Sequence, residues 1–262
     1  MKRVMGLFDK LFDKKACSIC GGEIGLFGNR KLEDGNMCKA CAAKLSPWFS
    51  DRRGSTVSEI EEQLAYREEN EKAVAAFHVT RSFGRNMKVL IDEDAKKFMV
   101  TAARNIKDEN PDVIDFSQVT GCDLDIDEQR TEATKEDNDG NEISYDPPRY
   151  YYSYDFNIII RVNHPYFDEI SFRLNSSDVE INQGNPIIGH RAPNPSLNRE
   201  YKEYEEMGNE IKAIITNTRQ LVREEALAAN APKAAMNCPF CGATTTPDAN
   251  GCCEYCGGAI AR

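Results

Sequence analysis

Long apolar runs are missing from this sequence. None of its stretches approaches the ~18 consecutive apolar residues of a membrane span, and the first residues, Met1 to Lys15, lack the extended apolar core of a secretory leader. A soluble, cytoplasmic protein is the expectation. Histidine is scarce, at three in 262 residues. His78, His164 and His190 stand apart, with no nucleophile and orienting acid recognisable around any of them. No phosphate-cradling loop, dinucleotide fingerprint or nucleophile elbow appears. These absences speak against an enzyme and suggest no small-molecule substrate. Basic charge is also short. Lys and Arg number 33 against 43 Asp and Glu, a net charge of −10, where a generic nucleic-acid binder would be basic.

What the chain has in quantity is cysteine, ten residues, and their placement decides how they read. Eight fall into four Cys-x-x-Cys pairs, and between Cys41 and Cys238 only Cys122 occurs. That clustering points to zinc, not to a disulfide scaffold. In "CSICGGEIGLFGNRKLEDGNMCKACAAKLS", residues 17–46, Cys17 and Cys20 lie on a knuckle followed by Gly21 and Gly22. A hairpin comes next, and Cys38 and Cys41 lead into a helix start. Glycine after the pair lets backbone amides turn towards the thiolates, and a helix N-terminus presents its positive dipole end to them. Knuckle, hairpin and helix-borne ligands together make a treble-clef arrangement. Four thiolates leave zinc with a local charge of about −2, which Lys14, Lys15, Lys39 and Lys44 are near enough in sequence to offset. They also fill the tetrahedron, so this site is expected to be structural.

The tail, "NCPFCGATTTPDANGCCEYCGGAIAR", repeats the logic compactly. Cys238 and Cys241 precede Gly242, and Cys253 and Cys256 precede Gly257, a zinc-ribbon signal with Cys252 as the spare. So short a module has no core of its own, and the metal must supply most of its folding free energy, on the order of 10 kcal/mol. Two structural zinc ions are therefore expected, one per set of four cysteines.

Between the modules, "VSEIEEQLAYREENEKAVAA" reads as a helix from about Val57 to Ala76, with Ser58 and Glu61 at capping-box spacing. From residue 77 the period becomes two. "FHVTRSF", "KVLID" and "KKFMVT" read as strands, and Cys122, Leu124 and Ile126 share one face of "VTGCDLDIDE". In "RYYYSYDFNIIIRVN", Tyr150, Tyr152, Tyr154, Phe156, Ile158, Ile160 and Val162 share one face. "TEATKEDNDGNEISYDPP" reads as a long acidic exposed loop, in which Lys135 and Asp146 spoil a likeness to a calcium loop. A last helix is entered at Asn194-Pro195, with a stripe from Leu197 through Tyr201, Tyr204, Ile211, Ile215 and Leu221 to about Leu227.

The expected architecture is α+β and multidomain. It comprises an amphipathic segment over 1–15, a four-Cys zinc module over 16–54 and a connecting helix over 55–76. A pleckstrin-homology-like antiparallel barrel with its capping helix follows over 77–228, then a linker over 229–236 and a zinc ribbon over 237–262.

The N-terminal module "CSICGGEIG … KLEDGNMCKACAAKLSPWF" with the following "DRRGSTVSEIEEQLAYREEN", together with "MGLFDKLF" and "FHVTRSFGRNMKVLIDEDAKKFMVT", resembles the bacterial domain-of-unknown-function family 4428. The tail is similar to generic bacterial zinc-ribbon families. The resemblance implies Cys17, Cys20, Cys38 and Cys41 as a metal set and carries no established activity.

The leading expectation is a non-enzymatic adaptor or scaffold whose partners are proteins. A first alternative is nucleic-acid binding through the basic start of the chain, where residues 1–54 hold 11 Lys and Arg against 6 Asp and Glu. Its contacts would be Lys14, Lys15, Arg30, Lys31, Arg52 and Arg53. A second is peripheral membrane attachment through Leu7, Phe8, Leu11 and Phe12, which sit at helical spacing. A third is a thiol redox sensor.

Overall fold

The computed structural model describes residues 15–189, 193–230, 235–248 and 250–260. The amphipathic segment with Leu7, Phe8, Leu11 and Phe12, as well as Lys14 and His190, lies outside these residues. Among the described residues no helix is long and apolar enough to cross a membrane. The chain divides into two compact units, residues 1–219 and 220–262.

The first unit begins with two short hairpins. Strand β1 (Lys15–Ala16) pairs with β2 (Glu23–Ile24), and β3 (Arg30–Lys31) pairs with β4 (Asn36–Met37), both antiparallel. One helical turn, α1 (Lys39–Ala42), follows, and then the long helix α2 (Val57–Ala76). Ile24, Leu32, Met37 and Leu45 bury against Ile60 of α2, with Ile19, Phe49, Val57 and Leu64 packed around them. The capping box of α2 sits two residues upstream of the expected Ser58 and Glu61. Thr56 accepts from the Glu59 N–H, and the Glu59 carboxylate accepts from the Thr56 N–H at 2.7 Å. The shift arises because the Asp34 carboxylate already accepts from the Val57 N–H at 2.8 Å, which fixes Val57 as the first helical residue.

Two antiparallel sheets follow. Strands β5 (Arg81–Gly84), β6 (Lys88–Asp92) and β7 (Lys97–Thr101) form a meander. After the short helix α3 (Ile106–Glu109), β8 (Ile114–Asp115) adds to its edge. The second sheet starts with β9 (Val119–Glu132). The acidic stretch expected as a loop is itself a hairpin, β10 (Thr134–Glu136) with β11 (Glu142–Ser144), because the Asp137 carboxylate gathers the Asp139 and Asn141 amides and so closes the turn. Strand β12 (Arg149–Val162) is central. It pairs with β9 on one side and with β13 (Glu169–Arg173), β14 (Val179–Glu180) and β15 (Ile187–Ile188) on the other.

The expected barrel is not formed, since the sheets do not close. The chain leaves the first sheet through the two-residue β8 and a 3-10 turn at Phe116–Gln118, and among the described residues β9 then pairs only with β12. The result is a mixed α/β fold with open sheets.

All seven even-numbered residues of β12 from Tyr150 to Val162 are buried, as the period-two reading expects. Helix α4 (Arg199–Asn230) covers this face. The Tyr201 ring meets Tyr154 and Phe156 edge-on, each at 5.0 Å. At Gly208 a Cβ would come 2.6 Å from the Leu124 side chain, which would have to shift to admit it. Tyr201, Tyr204, Ile211 and Ile215 are buried, but Leu197 is 85% exposed and Leu221 is 59% exposed. Leu197 belongs to the 3-10 turn Pro195–Leu197 before the helix and is out of phase with its stripe.

In the second unit β16 (Met236–Asn237) pairs with β17 (Thr244–Thr245), and a single bridge joins Cys252 to Ala259.

Candidate metal centres

Each of the three Cys-x-x-Cys-Gly segments folds into the same knuckle. The N–H groups of Cys17, Cys238 and Cys253 donate to the carbonyls of Gly22, Ala243 and Gly258, all at 2.8 Å. The N–H groups of Gly21, Gly242 and Gly257 donate back to the first cysteine's carbonyl, again at 2.8 Å. Closing this double loop needs a left-handed residue after the second cysteine. Gly21, Gly242 and Gly257 supply it, at φ of 71°, 71° and 69°. The fourth pair is built differently. Cys38 is the N-cap of α1, and its sulfur accepts from the Cys41 N–H at 3.4 Å.

Folding brings the pairs together in two sets. The sulfurs of Cys17, Cys20, Cys38 and Cys41 all lie within 4.8 Å of one another, as do those of Cys238, Cys241, Cys253 and Cys256. Individual separations are 3.8 Å for Cys20 to Cys38, 3.5 Å for Cys238 to Cys256 and 3.7 Å for Cys241 to Cys253. Four sulfurs ~2.3 Å from one zinc ion stand about 3.8 Å apart. A disulfide needs about 2.05 Å, and these cysteines are free thiols. Both sets therefore fit a tetrahedral zinc ion, and four thiolates leave no ligand position for water. Cys252 stays outside the second set, its sulfur directed at the Asn250 carbonyl.

The first centre is prepared electrostatically. Burial works against ionising Cys17, but amide hydrogen bonds from Cys20, Cys38 and Ile19 outweigh it and bring its pKa down to about 6. Cys41 is pushed up, first by burial and then by its neighbouring sulfurs. Four clustered thiols without a cation cannot all ionise, and a divalent ion reverses that balance.

A polar hub ties the first centre's module to the first sheet. Arg67 of α2 reaches the Lys44 carbonyl at 3.2 Å and the Asp112 carboxylate at 2.6 Å, and it also donates to the Asn110 carbonyl. Ser46 donates to the second Asp112 oxygen at 2.8 Å, and Asn70 grips Asn110 and Pro111 at 2.7 and 2.8 Å. Nothing in the sequence singled these residues out, because charged positions along a helix read as solvated.

Of the basic residues expected as nucleic-acid contacts, Arg30 and Lys31 form β3, and Arg52 donates to the Lys31 carbonyl at 2.6 Å. The Arg52 pKa is lowered, first by burial and then by the nearby charges of Arg30 and Arg53. Lys15 stands on β1. His78 is exposed, and His164 sits among Tyr66, Tyr166 and Phe167. Cys122 is buried, and burial, then Asp123, raises its pKa to about 12, as for an inert core thiol.

Residues 15–63 match the family described as "Domain of unknown function (DUF4428)". The match spans the first four-cysteine set and the start of α2. No curated protein and no solved structure matches the chain.

Proposed function

We propose that this protein is a non-enzymatic adaptor in which two zinc-folded modules and the β domain between them present surfaces to protein partners. The observation that carries this reading is the closure of both metal centres, with four cysteines each and no open position for chemistry. The order of knuckle, hairpin and helix-borne ligands around the first set is that of a treble-clef module, and the second set has the paired knuckles of a zinc ribbon. Phe240 and Tyr255, one in each ribbon knuckle, are 69% and 73% exposed, and Leu26 and Phe27 of the first module are 71% and 83% exposed. Aromatic side chains held outward on metal-stiffened turns suit contact with another protein.

Co-purification with the tagged full chain tests this reading. A protein partner recovered in fixed ratio, and lost on Cys20→Ser or Cys241→Ser, supports it. A chain that remains alone at physiological salt argues against it.

One observation favours a second reading, the reach of Arg52 to the Lys31 carbonyl on β3 beside the charges of Arg30 and Arg53. Nucleic-acid binding there would weaken steeply with salt, by a factor set by the number of phosphates neutralised. Replacing all four by alanine would flatten that slope.

A further inference from the structure

Strand β9 is paired on one side only. Its fourteen residues, Val119–Glu132, run antiparallel to β12, and no other described strand meets its outer edge. Which backbone groups face that edge follows from β12. The Phe156 N–H donates to the Asn175 side chain at 2.9 Å, its carbonyl accepts from the Leu174 N–H at 2.8 Å, and the Tyr154 carbonyl accepts from Asn175 at 3.3 Å. These groups all point away from β9. Phe156 lies opposite Ile126 and Tyr154 opposite Glu128, so both are the non-hydrogen-bonded kind of antiparallel pair. The N–H and carbonyl of Ile126, Glu128 and, by the same alternation, Arg130 therefore point outwards, in register to receive another strand.

The side chains bordering this edge define what fits it. Asp125 and Asp127 are exposed on one face, and neither has a cationic partner among the described residues; Asp123 is already taken by Arg161 at 2.6 Å and Lys212 at 3.4 Å. On the other face Ile126 is half-buried, the Glu128 carboxylate is held by the Tyr154 hydroxyl at 2.7 Å, and Arg130 stacks over the Tyr150 ring. An added strand would set one side chain against each aspartate at roughly 5 Å and one against Ile126. A second copy of β9 is disfavoured, because centring it on Ile126 brings Asp125 against Asp127.

We infer that the outer edge of β9 is a strand-addition site for an extended basic segment of a partner protein, one that alternates Lys or Arg, facing Asp125 and Asp127, with an apolar residue facing Ile126. This rests on the adaptor reading, and the two fail separately, since a peptide titration reports on the edge alone and co-purification reports on the whole chain.

The test uses the zinc-loaded full chain, labelled with 15N, and the peptide Lys-Val-Lys-Val-Lys-Val-Lys. Saturable amide shifts and slowed hydrogen exchange at Ile126, Glu128 and Arg130 are expected. N-methylation of the valine amides, which face the edge, should abolish binding, whereas N-methylation of the lysine amides should spare it. Asp125→Asn with Asp127→Asn should weaken binding about tenfold. The inference is overturned by no binding at millimolar peptide or by shifts confined to other surfaces. Equal binding of the N-methyl-valine peptide, the mark of charge attraction alone, would overturn it too.

Discussion

Arg67 and Asp112 meet at 2.6 Å with their side chains 7% and 0% exposed, 45 residues apart in the chain. This buried pair, with Ser46 and Asn70 around it, clamps α2 onto the segment that leads into β8. Truncating one partner strands the other charge away from water. Asp112→Ala is expected to cost about 3–5 kcal/mol, whereas joint replacement by apolar residues of similar volume should cost far less. Urea denaturation of the two variants makes the comparison, and equal losses would show that the pair is not the clamp.

Thr56, not Ser58, caps α2. Thr56→Ala should lower stability by about 1 kcal/mol, and Ser58→Ala should change it by at most a few tenths. A larger effect at Ser58 would place the helix start where the sequence alone puts it.

The knuckle glycines need a left-handed backbone, and a Cβ at Gly242 or Gly257 would meet nothing within 4 Å. The cost of alanine there is thus conformational, roughly 1–2 kcal/mol. Zinc binding and folding are one process in so small a module, so competition with a chelator should show affinity lowered about fivefold to thirtyfold. Unchanged affinity would contradict the knuckle geometry.

His164 is stacked on Phe167 at 4.1 Å and edge-on to Tyr66 at 5.1 Å. Burial lowers its pKa below the ordinary value, against the weaker attraction of Asp112. A lowered histidine pKa means that the unfolded chain binds the proton first. Its contribution is therefore complete above about pH 6.5 and declines as pH falls from there towards the folded pKa. His164→Phe should narrow the difference between urea midpoints measured at about pH 5.5 and about pH 7.5. An undiminished difference would assign the acid sensitivity to other groups.

The two four-cysteine clusters were legible because ligand spacing is a local property: in three of the pairs two cysteines three apart with glycine next form a knuckle, and in the fourth the spacing sets Cys38 and Cys41 on one helical turn. The buried face of β12 was legible for the same reason, since a period of two survives without knowing what covers it. Barrel closure was not, because strand alternation says nothing about which edges meet, and among the described strands β9 joins β12 alone. The Arg67–Asp112 clamp was hidden by sequence separation, and Leu197 was misplaced because a 3-10 turn breaks the phase of the stripe that continues from Tyr201.

Both closed four-cysteine centres are expected to hold structural zinc. Native mass spectrometry of the freshly purified full chain, before and after mild peroxide, tests this most directly. Two zinc ions per chain that survive peroxide are expected, with no loss from the first set even though Cys20 borders an open groove of about 420 Å³. Fewer than two ions, or rapid loss on oxidation, would contradict the structural assignment and turn attention to the thiols as the working groups.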